Sequence, residues 1–230
     1  MRQIRAILRK QIKDTLKNRT VLIQFILFPL ITVVMNCAVN IEGMPENYFT
    51  KMFAVMYVGM APLTALSAVV SEEKEKGTLK ALRMAGVKPA EYLIGVGGCV
   101  WILCMAGSLV IALSGGYEGT ALAGFLCVMA AGILISSLMG AAVGVHAASQ
   151  MAAASVSVPL MLVFAFLPML SMFNETVEKI AKFTYTQQLQ IFLSAGGCDT
   201  IKAENWLIAA ANALVILLLF GLTYRKNGLE

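Results

Sequence analysis

An all-α membrane protein with six transmembrane helices is the fold class this sequence predicts, and three observations predict it. The chain is 59 % hydrophobic and only 13 % charged, with a mean hydropathy of +0.78, whereas charged residues make up about a quarter of a soluble globular domain. Its uncharged runs are long enough to cross a hydrocarbon core of about 30 Å, which takes about 20 residues at 1.5 Å each. Much of the charge that remains is gathered in the first 19 residues and in one stretch, Ser71 to Glu91, with membrane-grade sequence on both sides.

Residues 1–19 carry seven basic side chains and one acid, Asp14, while Ile4, Ile7, Leu8, Ile12 and Leu16 recur at helical spacing. An apolar arc opposite basic residues predicts an amphipathic helix lying in the headgroup layer, with its cations on anionic membrane lipid. The first uncharged run is longer than a signal-peptide core and no A-x-A site follows it, so it reads as an uncleaved span. Spans are expected at 21–40, 52–70, 92–113, 121–145, 152–173 and 206–224. The fourth and fifth come from one stretch, Gly119 to Asn174, that holds no Asp, Glu, Lys or Arg. As a single helix it would run roughly 84 Å, so it must fold back, most naturally at the polar break His146 to Gln150. The segment 174–204 is too short to span and too apolar for a free loop, which predicts a helix or a re-entrant hairpin capping the outer end. The whole chain, 1–230, then forms a single transmembrane domain.

With the N-terminus inside, the inner segments hold fourteen Lys and Arg and the outer ones four. That asymmetry places both termini and the 71–91 hairpin in the cytoplasm of a multi-pass protein of the bacterial plasma membrane. It also accounts for the net charge of +5 without invoking nucleic acid.

Several function classes are disfavoured. The interior of every predicted span lacks Asp, Glu, Lys and Arg, whereas ion- and proton-coupled carriers usually keep ionisable groups at membrane depth. The best polar candidates there are the amides Gln24 and Asn36, with His146 near the inner face. No H-E-x-x-H or paired aspartate suggests an intramembrane protease, and no P-loop suggests ATP hydrolysis by this chain. Catalytic residues, a metal site and a directly bound cofactor are therefore not expected. The five cysteines form no C-x-x-C; most read as small apolar fillers, and a Cys37–Cys198 bridge is left open. Gly132, Ser136, Gly140 and Gly144 put a small residue at every fourth position of the fourth span, a stripe that lets another helix approach closely.

A polytopic protein without an energy source of its own, but with a charged cytoplasmic hairpin, suggests an external engine. Within the hairpin, Ser71 reads as a helix cap with Glu72 and Glu73 at the positive end. Leu79 and Leu82 share a face, and Gly86 and Pro89 end the helix before the third span. The run Glu73-Lys74-Glu75-Lys76-Gly77-Thr78-Leu79, followed by Lys80 to Arg83 and by Pro89 ahead of Tyr92 to Gly95, resembles the hairpin of ABC-2 type permeases, the membrane subunits of ABC exporters.

That resemblance implies a coupling helix docked on a separate ATP-binding cassette subunit, which would hold the ATP and Mg. It also implies a second permease, identical or related, and a path between the two lined by spans 2 and 5. Glu72, Glu73, Glu75, Gly77, Thr78, Leu79, Leu82 and Arg83 are the expected contact with the ATP-binding subunit. Phe53, Tyr57, Met60 and Thr64 on span 2, with Met161, Phe164 and Pro168 on span 5, are the candidate path lining. Their soft aromatic and methionine character suits amphipathic, peptide, drug or lipid-like cargo. The alternatives are a non-transporting sensor or assembly protein that uses the hairpin for docking, and a carrier driven by an ion gradient such as sodium.

Overall fold

A computed structural model of the chain describes residues 2–17, 19–39, 43, 45–195 and 201–227. The described residues form ten helices and no strand: α1 (Arg2–Lys17), α2 (Arg19–Ala38), α3 (Tyr48–Glu75), α4 (Thr78–Met84), α5 (Pro89–Ser114), α6 (Gly119–His146), α7 (Gln150–Ser171), α8 (Glu175–Ala181), α9 (Tyr185–Ser194) and α10 (Ala203–Asn227). Five of them (α3, α5, α6, α7 and α10) are long and apolar enough to cross a membrane, and a sixth span follows if the bent pair α1–α2 is counted as one. The protein is a multi-pass membrane protein. The predicted fold-back is in place, because α6 stops at His146 and Ser149 caps α7 by accepting from the Ala152 N–H. Cys198 falls outside the described residues, and the question of a Cys37–Cys198 bridge falls there with it.

The bundle is organised around α3, which packs against α2, α5, α6, α7 and α9 and has both faces buried over most of its length. Small residues make this possible. The stripe on α6 faces α3: a Cβ on Gly140 would sit 2.4 Å from the Leu63 carbonyl oxygen, and one on Gly144 would sit 2.8 Å from Val70 Cβ. On α3 itself, a Cβ on Gly59 would come within 2.9 Å of the Ala165 backbone on α7. The stripe of the fourth span is thus used inside the chain, where close backbone approach gives dispersion contacts that lipid cannot better.

Polar groups within the bundle are spent on fastening helices together. Pro29 has no N–H, so it leaves the Phe25 carbonyl without its intrahelical donor; the Tyr57 hydroxyl on α3 donates to that carbonyl at 3.3 Å. Gln24 accepts from Thr64 at 3.2 Å. At the end of the bundle away from the charged hairpin, the Asn36 amide donates to Thr50 Oγ1 at 2.8 Å and to the Ser114 carbonyl at 3.1 Å, tying α2, α3 and α5. Both sequence-flagged amides therefore act as interhelical links.

The segment between α7 and α10 holds two short helices, α8 and α9. The turn between α8 and α9 lies alongside α10: Asn212, nine residues into α10 and so about 13 Å along it, donates to the Phe183 carbonyl at 3.0 Å. Tyr185, just after the turn, packs its ring 5.0 Å from Phe164 of α7. Lys182 pairs with Glu204 at the start of α10, 2.7 Å away.

The N-terminal helix departs from expectation. It does not spend its apolar face on lipid alone, because Ile7, Gln11 and Thr15 form a buried stripe packed on α5, with Ile7 against Gly95. Two polar members of that stripe broke the apolar pattern in the sequence, which shifted the predicted face toward Leu16, in fact 58 % exposed.

Candidate functional site

The charged stretch is two helical pieces joined by one glycine. The α3 helix runs past the apolar span to Glu75, so Ser71 is an interior residue whose Oγ donates back to the Ser67 carbonyl at 2.8 Å. The predicted Ser71 cap is therefore wrong, and Glu72 and Glu73 lie in the last turn of a helix. A carboxylate there faces the negative end of the helix dipole; cations offset this. Lys76 pairs with Glu72 one turn away, and that carboxylate raises the Lys76 pKa above the ordinary ammonium value. Lys10 of α1 meets Glu73 at 2.8 Å.

Gly77 makes the corner. It has φ +70°, a left-handed conformation that costs a residue with a Cβ roughly 1–2 kcal/mol. Thr78 then starts α4, and α4 ends in a Schellman turn, with Gly86 at φ +81° and the Val87 N–H donating to the Leu82 carbonyl at 3.0 Å. Pro89 opens α5, where a missing N–H costs nothing.

The side chains of α4 divide into two faces. Leu79 is 4 % exposed and Leu82 half-buried, both packed on the core, while Lys80, Ala81, Met84 and Ala85 are exposed. Met84, at 85 % exposed, is the most prominent apolar group of the hairpin and was missed in the sequence, where nothing sets it apart from the core methionines. Leu79 is accordingly an anchor beneath the helix rather than an outward contact. Thr78 and Gly77 are half-buried, Arg83 lies in α4, and Glu73 is enclosed, with its side chain 13 % exposed.

Two further residues of the last turn of α3 reach sideways. Lys74 Nζ donates to the Val145 carbonyl at 2.8 Å, in the last turn of α6. The Glu75 carboxylate accepts from the backbone N–H of Gln150, the first residue of α7, at 2.8 Å. On the other flank, Gln3 of α1 donates to the Gly86 carbonyl at 3.5 Å. The hairpin is held by α1, α5 and the α6–α7 turn together. Sequence reasoning left out Lys10, Lys74 and Gln150; the available signal was that residues 146–150 and 71–91 fall on the same membrane face.

The candidate path residues do not come together as one face. Tyr57 is fully buried against α2 and α5, and Pro168 is buried, so neither lines an open route in this chain. Phe53, Met60 and Thr64 form a half-buried strip of α3 beside α2, and Met161 and Phe164 are half-buried on α7. The two sets are separated because α3 meets α7 through Gly59, about 100° or more around the helix from that strip.

Among the described residues no group of three or more His, Cys, Asp and Glu could hold a metal ion. No curated protein matches the chain at a significant level. The family model of the ABC-2 type transporter matches residues 2–185, which takes in α1, the hairpin, α7 and the turn between α8 and α9.

Proposed function

The chain belongs to the ABC-2 type transporter family, and from that premise we propose that this permease moves cargo out of the cytoplasm using ATP hydrolysed on a separate subunit. The observation that carries the proposal is the outward face of α4: a short helix anchored from beneath by Leu79 and presenting Lys80, Ala81 and Met84 to whatever lies below. Both of its ends are bonded into long helices, so a force on it becomes a tilt of α3 and α5 rather than a loop movement.

In this reading both termini and the hairpin are cytoplasmic, following the Lys and Arg asymmetry. The ATP-binding subunit docks on α4 and holds ATP and Mg. A second permease, identical or related, faces the first, and the route between them runs along one of two separate surfaces, Phe53, Met60 and Thr64 on α3 or Met161 and Phe164 on α7. Their apolar, adaptable character favours amphipathic, peptide, drug or lipid-like cargo.

The test is co-expression with an ATP-binding subunit, purification of the pair, and measurement of nucleotide-driven export in vesicles. Gly77→Pro demands φ near −65° where the chain has +70°, and Leu79→Asp puts a charge in the anchor. Either variant is expected to reduce ATP-driven export at least tenfold while the permease still inserts. Unchanged export in both would overturn the coupling role, and export that ignores ATP but collapses with the ion gradient would favour a carrier.

A further inference from the structure

We infer that Lys74 and Glu75 form a clamp that makes α7 move with α3, so that the hairpin drives both helices from one point. The inference rests on the coupling role proposed above. Its geometry is particular: two adjacent residues of opposite charge grip the two sides of a single tight turn. The α6 C-terminus presents unpaired carbonyls and a partial negative charge, and Lys74 Nζ meets one of those carbonyls, that of Val145, at 2.8 Å. The α7 N-terminus presents unpaired N–H groups and a partial positive charge, and Glu75 meets one of those, that of Gln150, at 2.8 Å. Each charge thus faces the helix end that favours it, and each bond is charge-assisted.

The placement gives the clamp a mechanical role. It joins the last turn of α3, immediately before the Gly77 corner, to the end of α7 nearest the hairpin. Midway along, α3 and α7 touch through small-residue packing, as at Gly59 and Ala165, which resists separation but permits sliding along the groove, and at the far end the Tyr48 hydroxyl makes a long 3.9 Å bond to Met172 Sδ. The Glu75–Gln150 bond opposes that sliding directly, and the Lys74–Val145 bond holds the other side of the same turn. Lys74 and Glu75 are positioning residues in this scheme, separate from the outward face of α4.

The experiment uses the permease co-purified with its ATP-binding subunit in lipid nanodiscs and needs no knowledge of the cargo. Spin labels are placed at Val156→Cys on α7 and Leu222→Cys on α10, both exposed positions, after the native cysteines are replaced. The distance between them is measured without nucleotide and with ATP plus vanadate. The parent is expected to show a nucleotide-dependent shift, the double variant Lys74→Met with Glu75→Ala less than a third of it, and Lys74→Arg alone the full shift. In parallel, hydrogen exchange at the Gln150 amide is expected to quicken roughly fivefold in Glu75→Ala, the response to a lost charge-assisted bond.

A full shift in the double variant would overturn the inference, even with faster exchange, because the contacts would then be structural only. Unchanged exchange would overturn it by removing the Glu75 bond. Failure of the Lys74→Arg rescue would do so as well. If the parent binds no ATP-binding subunit or shows no shift, the coupling reading itself falls and takes the drive with it, while the exchange measurement still judges the contact.

Discussion

The bond between Tyr57 and Phe25 makes a prediction that can be worked through quantitatively. Tyr57→Phe removes the hydroxyl that donates to a carbonyl Pro29 has deprived of its i+4 helical partner. At 3.3 Å the bond is long for O–H···O, whose usual distance is about 2.7–2.8 Å. Interhelical hydrogen bonds in membranes are worth about 0.6 kcal/mol on average and about 1.7 at most. An orphaned carbonyl in a buried site adds a desolvation term, so Tyr57→Phe should cost about 1 kcal/mol. Pro29→Ala restores an N–H four residues after Phe25, and the helix then satisfies that carbonyl itself. In that background Tyr57→Phe should cost only a few tenths of a kcal/mol, a coupling of about 0.7 kcal/mol that a double-mutant cycle can resolve. The hydroxyl also lies against the Cys104 thiol, but that contact is common to both backgrounds and cancels in the cycle. Reversible unfolding of the four proteins in bicelles gives the measurement. Equal losses in both backgrounds would refute the idea that Tyr57 is there because of Pro29.

Other substitutions follow the same contacts. Gly107→Ala would place a Cβ 2.3 Å from the Tyr57 hydroxyl, 2.8 Å from its ring Cζ and 3.1 Å from Pro29; it should destabilise by about 1–3 kcal/mol through overpacking and should lose only part of that effect in a Tyr57→Phe background, which keeps the ring carbon. Gly140→Val meets the Leu63 backbone, which cannot rotate away, so folded yield should fall sharply, whereas Gly124→Val, with open space around it, should match the parent in detergent thermostability. Asn36→Leu removes the donor that ties α2 to α3 and α5, with an expected cost of about 1–2 kcal/mol and no change in the pairing of Lys10 with Glu73, which a charge-reversal exchange at those two positions can monitor.

What the sequence made legible follows from what lipid demands. Every span had to be a helix with its backbone satisfied internally, so uncharged run length fixed α3, α5, α6 and α7 to within a few residues, and the single polar break at 146–150 could only be a turn. The small-residue stripe announced a close helix contact, though not that α3 would be its partner, since spacing encodes how near a helix can come and not which one does. The hairpin was harder. Ser71 looked like a cap because it stands where charge begins, but a helix adjoining water can run on past the apolar span. Here the Lys76 and Gly77 N–H groups close its end on the Glu72 and Lys74 carbonyls, and the charged side chains of that last turn are engaged by Lys76, α6 and α7, contacts to other helices that spacing along α3 could not reveal. The α1 face was misplaced for a related reason: Gln11 and Thr15 are polar, yet they are buried against α5, and an apolar-arc reading counts them with the solvent side.

The same division separates the charges that hold the hairpin in place from the face that the hairpin holds out. Charges in the 71–91 stretch invite the reading that they meet a partner protein, since ionic side chains at a membrane surface are free to do so. Yet the acidic members are engaged inward or locally, Glu72 with Lys76, Glu73 with Lys10 and Glu75 with the α7 N-terminus, while the outward face of α4 is led by a methionine, Met84. The acids set where the hairpin stands, and the face they hold out is Lys80, Ala81 and Met84. Substitutions at the acids should therefore change how movement is passed into the bundle, and substitutions at Met84 should change whether the ATP-binding subunit docks at all. Met84→Glu separates the two, with weaker co-purification expected and the Gln150 amide exchange left as in the parent.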